Sequence, residues 1–307
     1  MNGLFAGTLE GIYLIEPEKS TTCELENKNI ELIKTNHNGL AVASIKDEGI
    51  FIRNHKDHWE KKWSGQVTAI EVTEKDEIIV GIFPTGLIIS ADRGKTWKES
   101  KGIHSYVSIS AIESLSSKKN AKRINAITAV AGSIMIAIEE VGILVSHNLG
   151  SSWIRSSDGI EKNIKNIIEN QTNTESLCAI TDDELFITQD FALNWKKIAL
   201  INDKLHIRDM IIFSQQFNAK LLVLGKKKNN QIDGLFFINE ASESILEINV
   251  KKIIKLDDYS CLIKLPHSQD SAFLASEKKI WATHNQGKEW LQIKELNSNI
   301  LSMAVCF

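Results

Sequence analysis

Four short polar side chains stand in one repeated frame: Asp92, Asn148, Asp190 and Asn285. Each lies two residues after a hydroxyl (Ser90, Ser146, Thr188, Thr283) and five before a tryptophan (Trp97, Trp153, Trp195, Trp290). Carboxylates at regular intervals could do general acid–base work, which needs a group that exchanges a proton near the working pH. Asparagine has no such proton. Like aspartate, it can accept hydrogen bonds from backbone N–H groups a few residues on, so the property common to all four positions is turn formation. Gly94, Gly150 and Gly287 follow where a tight turn demands φ > 0, and Ala192 takes that place in the third copy. Thr96 and Trp97 are read as opening the next strand, with the indole as an apolar plate between neighbouring sheets. Ser90 to Trp97 is thus expected to be a self-locking hairpin, structural rather than catalytic.

Other residues could carry chemistry. Glu139, Glu140, Asp182 and Asp183 form two acidic pairs. Carboxylates roughly 5 to 10 Å apart in a cleft would suit glycoside hydrolysis. They could also hold a cation or a basic partner, with solvated turns as the plainer expectation. Lys226, Lys227 and Lys228 could contact phosphate or an acidic protein, again with a solvated turn as the simpler reading. The eight histidines show no H-E-x-x-H or other ligand spacing, and His147 and His284 fall at the variable second place of a lock. Cys23, Cys178, Cys261 and Cys306 are scattered without a C-x-x-C pair, so neither a metal nor a cofactor is expected. Cys178 and Cys261 lie in apolar runs and read as small core residues. Free thiols fit a reducing cytoplasm, the expected compartment.

The elements that position these residues follow from a second repeat. A Gly-apolar-x-apolar run, with Glu or Lys at the Gly place in two copies, begins at Gly11, Gly49, Gly86, Gly142, Glu184, Gly234 and Lys279. Seven copies spaced roughly 37 to 56 residues apart match the period of propeller blades. Each blade reads as an inner apolar strand, a second strand, the Gly-apolar strand and an outer Trp strand. Residues 67–72, 77–82, 86–91 and 96–99 make one complete blade, and later inner strands are expected at 124–130, 164–168, 207–213 and 259–265. The first residues supply only three outer strands, whereas 300–305 supply a lone inner one. The ends should therefore share one blade. The expected architecture is all-β, a seven-bladed β-propeller of four-stranded antiparallel blades closed by that shared blade, with residues 1–307 as a single domain.

A chain of 307 residues with 43% apolar and 24% charged residues can bury a full core and solvate its surface. A net charge of −3 gives no reason to expect nucleic acid as a partner. The N-terminus lacks a basic n-region and reads as a strand, and no run approaches the roughly 18 apolar residues of a membrane span. Lys101 to Arg123 departs from the repeat. Its first half, with Ile103 and Tyr106, is apolar, and its second half, with Lys118, Lys119, Lys122 and Arg123, is basic. In an alternating four-stranded blade, this linker and the turns holding Glu139, Glu140, Asp182, Asp183 and Lys226 to Lys228 share the face opposite the locks. That is the candidate binding face.

The four locks resemble the Asp-box (BNR) repeat, S/T-x-D-x-G-x-T-W, of sialidases, the sortilin ectodomain and photosystem II assembly-factor-like proteins, within the WD40/YVTN/BNR-like class. The resemblance implies a structural role for Ser90, Asp92, Gly94, Thr96, Trp97 and their counterparts. Sialidases bind the substrate carboxylate with three arginines, a fork suited to bidentate contact. Of Arg53, Arg93, Arg123, Arg155 and Arg208, the first, second and fourth fall on the lock face or outer strands, so sialidase activity is not expected. The resemblance implies a non-enzymatic, monomeric scaffold or assembly factor that binds a protein. The alternative is a carbohydrate-binding or glycoside hydrolase-like propeller.

Overall fold

The computed structural model describes residues 3–17, 19–54, 58–106, 121–160, 163–170, 175–182, 184–198, 205–215, 218–227, 233–239, 244–247 and 259–307. Alternating apolar residues and turn-forming loops resolve into seven four-stranded antiparallel sheets. In chain order, blade 1 takes β1 (Gly3–Thr8), β2 (Ile12–Ile15) and β3 (Thr22–Glu24). Blade 2 is β4 (Ile30–Thr35), β5 (Leu40–Ile45), β6 (Gly49–Asn54) and β7 (Glu60–Trp63), and blade 3 is β8 (Gln66–Val72), β9 (Ile78–Phe83), β10 (Gly86–Ser90) and β11 (Lys98–Glu99). Blade 4 is β12 (Ile124–Val130), β13 (Ser133–Ile138), β14 (Gly142–Ser146) and β15 (Ile154–Arg155). Blade 5 is β16 (Asn166–Glu169), β17 (Leu177–Ile180), β18 (Leu185–Thr188) and β19 (Lys196–Lys197). Blade 6 is β20 (Leu205–Gln215), β21 (Asn218–Lys227), β22 (Asp233–Asn239) and β23 (Ser244–Glu247). Blade 7 is β24 (Tyr259–Lys264), β25 (Ala272–Ser276), β26 (Lys279–Thr283) and β27 (Leu291–Glu295), and β28 (Ile300–Cys306) returns to blade 1.

The shared blade is present. Strand β28 pairs antiparallel with β1, matching Leu4 to Val305 and Ala6 to Met303, in a sheet ordered β28-β1-β2-β3. The inner strands touch in sequence, β4, β8, β12, β16, β20, β24 and β28, and β28 meets β4 again, so the ring closes around a central channel. Seven buried apolar clusters fill the seven blade interfaces. Burial between faces, rather than within one sheet, holds the ring together.

Three boundaries differ from the sequence expectation. Strand β11 begins at Lys98, not Thr96, because Thr96 is still bonded into the loop and the Trp97 indole N–H leaves for Lys62 O on blade 2 at 3.2 Å. Lys226 and Lys227 end strand β21 instead of standing in a turn, because pairing with β20 continues to Leu205. Inner strand β16 runs Asn166–Glu169, later than expected, after Lys165 N–H has bonded Ile180 O.

Most inner strands also carry a bulge near their start. The register slips between Ile30 and Leu32, Val67 and Ala69, Ile124 and Ala126, Ile207 and Asp209, and Tyr259 and Cys261. An extra residue there re-aims the side chains that follow. Charged residues can thus face the channel from otherwise apolar strands.

Candidate functional site

The lock loops are bonded alike in all four copies. Ser90 Oγ donates to Asp92 Oδ1 at 2.8 Å and accepts Gly94 N–H at 2.8 Å, while Asp92 Oδ1 accepts Thr96 N–H at 2.8 Å. Asn148 and Asn285 accept Ser152 N–H and Glu289 N–H at 2.9 Å, and Asp190 accepts Asn194 N–H at 3.0 Å. The polarity of the seventh residue is matched to the third. Asp92 and Asp190 accept from Thr96 Oγ1 (2.6 Å) and Asn194 Nδ2 (2.8 Å), whereas Asn148 and Asn285 donate to Ser152 Oγ (2.8 Å) and Glu289 Oε2 (3.1 Å). The Thr96 hydroxyl and amide hold the Asp92 pKa down to about 2, and the Thr188 hydroxyl with Asn194 does the same for Asp190. Such carboxylates are poor proton donors at neutral pH. Gly94, Gly150 and Gly287 have φ of 78°, 73° and 81°, and Ala192 holds 68°. Trp153, Trp195 and Trp290 are buried against the preceding blade, and Trp97 is half-buried there.

Loops between second and third strands, and linkers between blades, occupy the opposite face. Thr85 Oγ1 donates to Lys122 O, Glu140 N–H donates to Asn163 Oδ1, and Ile207 N–H donates to Asp182 O, tying turns to linkers. Two of the expected acids here are spent on lysines, Glu140 on Lys122 and Asp182 on Lys165, and Glu48, not singled out in the sequence, pairs likewise with Lys28 at 2.7 Å. Glu139 Oε2 accepts Arg123 N–H at 3.3 Å, and the Arg123 guanidinium lies 5.9 Å from the Phe83 ring. Lys226 is half-buried. Tyr106, expected on this face, lies instead beside the lock of the next blade, its hydroxyl donating to Trp153 O at 2.5 Å after the short 3-10 turn Lys101–Ser105, because Ser100 and Gly102 already rest against Gly150 and Ser151 there. Lys118, Lys119, Asp183 and Lys228, and the side chain of Lys227, lie outside the described residues.

The arginines do not converge. Arg53 bonds Glu24 and sits over Phe5, Arg93 bonds Asp76 Oδ2 at the lock face, and Arg155 bonds Ser157 on an outer strand. The Trp59 indole donates to the same Glu24 carboxylate at 2.6 Å, so an ion pair with an indole ties blade 2 to blade 1. His147 and His284 bond Ser133 and Ser271 at the rim. Among the described residues, no group of three His, Cys, Asp or Glu is placed to hold a metal.

Sequence reasoning missed the channel. Lys34 of β4 pairs with Glu71 of β8 at 3.4 Å, and its ammonium acts on Asp209 of β20 and Glu169 of β16 across the opening. Lys264 of β24 acts on Glu169 as well. Burial raises the Asp209 pKa to about 6, although Leu262 N–H and Met210 N–H both donate to its carboxylate at 2.9 Å. Burial likewise raises Glu169 and lowers Lys264. One signal was available, a charge interrupting an apolar inner strand, but it needs the bulge positions before it shows which side chains meet.

At the lock-face end of the channel, the His37 ring lies 4.5 Å from His267 and 4.3 Å from Phe307, and its Nδ1 is 2.6 Å from Glu74 Oε1. Among the described residues, no helix is long and apolar enough to cross a membrane.

No protein-family model and no curated protein matches this sequence. Solved structures do match its shape. A GH74 xyloglucanase from Xanthomonas campestris aligns with TM-score 0.63 at 12% identity, over 87% of this chain and 45% of the enzyme. A second GH74 enzyme, from Niastella koreensis, is likewise spanned for only 46% of its length, so this chain covers under half of those enzymes. YCF48 from Cyanidioschyzon merolae aligns with TM-score 0.64 at 9% identity, over 92% of this chain and 91% of that one. At such identities the likeness shows the fold, a β-propeller that serves hydrolases and other proteins alike.

Proposed function

We propose that this chain is a non-enzymatic Asp-box propeller that binds a protein partner as a scaffold or assembly factor, with the turn and linker face as its contact surface. The observation that carries this reading is the pairing of Glu140 with Lys122 and of Asp182 with Lys165. Acids held by lysines at an exposed rim suit electrostatic complementarity to a partner better than proton transfer to a bond. The lock aspartates are committed to their own turns. A structure described as YCF48 bound to D1 peptide aligns with TM-score 0.61 over 87% of this chain and 82% of that one, which supports a peptide or protein ligand by analogy of fold. The four free cysteines agree with a reducing compartment, and the cytoplasm is our assignment.

A carbohydrate-binding or glycoside hydrolase-like propeller is the second reading. It is favoured by Asp209, whose raised pKa suits an acid. Affinity capture with the tagged chain, followed by cross-linking, separates the two. Capture of a defined partner that is lost on Lys122→Glu with Arg123→Glu, at an unchanged melting temperature, supports the scaffold. Turnover of chromogenic glycosides that disappears in Asp209→Asn overturns it.

A further inference from the structure

The channel holds two opposite charges that do not reach each other. Glu169 pairs across its blade with Leu177 and then with Thr188, the first residue of a lock. Lys264 pairs with Ala272 and then with Thr283, the first residue of another. The two side chains therefore stand at the same height, near the lock-face end, on inner strands β16 and β24. Strand β20 lies between them and presents Ile212 at that height, by the same register through Leu221 to Ile238.

Each feels the other's field, yet neither has an ion-pair or side-chain hydrogen-bond partner among the described residues. Lys34, whose charge acts on Glu169 more strongly than that of Lys264, is committed to Glu71 at 3.4 Å. Both side chains are half-buried, and that burial raises the Glu169 pKa and lowers that of Lys264, with the Glu71 and Glu74 carboxylates raising Glu169 further. Two unpaired charges in such surroundings are costly, and any group that pairs both is favoured. Immediately beyond Lys264, His267 begins the ring stack with His37 and Phe307.

We infer that the lock-face end of the channel is a binding site for a small zwitterion of the α-amino-acid class, its ammonium on Glu169 and its carboxylate on Lys264. The side chain of the ligand points to the rings of His267 and Phe307. A ligand with one charge satisfies one partner and leaves the other exposed to the same penalty, so both charges are required. This site is separate from the turn and linker face and stands whether or not a protein docks there.

Isothermal titration of the full chain with glycine, L-leucine and L-phenylalanine, against propylamine and propionate as single-charge controls, tests the assignment. Amino acids should bind at least about tenfold more tightly than either control, and Glu169→Gln or Lys264→Met should each weaken them about tenfold or more. Lys98→Gln, on the exposed outer strand β11, should leave the affinity unchanged. No heat from any amino acid at about 10 mM, equal binding of propylamine or propionate, or full affinity in Glu169→Gln overturns the inference. Should a variant fail to fold, amide shift mapping on the unaltered chain decides. Shifts centred on Asn170 and Leu265 support the site, and shifts elsewhere or none sink it.

Discussion

The Asp209 carboxylate on β20 accepts the backbone N–H of Leu262 on β24 at 2.9 Å. It thereby fills a hydrogen-bond position on the channel side of the neighbouring blade's inner strand. Thr128 Oγ1 to Ile167 O (2.8 Å) and Thr35 Oγ1 to Val305 O (2.7 Å) do the same between other inner strands, and Asn125 Nδ2 reaches Ile164 O (3.0 Å) just before β16. Backbone groups along the channel are thus partnered by side chains of the next blade.

Asp209 and the lock aspartates should give opposite pH dependences. The folded pKa of Asp209 is raised from 3.8 to about 6, so its contribution is fully present below about 3.8 and lost as pH rises through about 6. Asp209→Asn keeps an acceptor for Leu262 and removes the charge. It should stabilise the chain by on the order of 2 kcal/mol at pH 8, with the gain vanishing near pH 4. Asp92 and Asp190 have folded pKa values lowered to about 2, so their contribution is present above about 3.8 and lost as pH falls through about 2. Urea melts of wild type and Asp209→Asn across pH 4 to 8 check the first half, and a gain that persists at pH 4 contradicts it.

Gly94→Ala should cost about 2–5 kcal/mol. Alanine at φ 78° costs roughly 1–2 kcal/mol. Its Cβ would also fall 2.2 Å from Ile52 Cδ1, the tip of a buried side chain that must shift within the core, which adds about 1–3 kcal/mol of overpacking. Ala192 already occupies the same place at φ 68°, so Ala192→Gly exchanges about 1 kcal/mol of strain for about 0.8 kcal/mol of buried methyl and should be near neutral. Chemical denaturation of both variants measures the contrast. Equal and small effects would mean that packing at Gly94 is loose.

The matched polarity of the locks predicts a coupled pair. Asn285→Asp sets a carboxylate against Glu289, which now accepts from Asn285 Nδ2 at 3.1 Å, and should lower the melting temperature by about 1–2 °C. Adding Glu289→Thr, the arrangement of Asp92 with Thr96, should restore it. A double-mutant cycle in differential scanning fluorimetry reads the coupling. Additive effects would dissolve the pairing.

Deleting residues 299–307 removes β28 and leaves the edge of β1 unpaired, with Met303, Ala304 and Val305 lost from buried positions. The product should be insoluble or lack a cooperative transition. A truncated chain that melts cooperatively near the full-length temperature would refute the closure.

Seven blades, their phase and the shared first blade were legible in the sequence because each rests on local chemistry. The Gly-apolar runs at Gly49 and Gly86 and the lock from Ser90 to Trp97 specify a strand, a turn and the next strand within a few residues, and repetition multiplies the signal. Even the exchange of Asp for Asn was readable, since both make the turn. The channel was not legible. Lys34, Glu71, Glu169, Asp209 and Lys264 come from five different blades and share no motif. Only closure of the ring brings them together, and on β4, β8, β20 and β24 a bulge resets which inner-strand side chains face the opening. The same holds for Glu140 and Asp182, read from sequence as solvated acids or a catalytic pair, whose lysine partners are set by how linkers cross the turns of the ring. Local sequence determines turns because their hydrogen bonds close within four residues, whereas a charge takes its pKa and its partner from whatever the tertiary structure packs beside it.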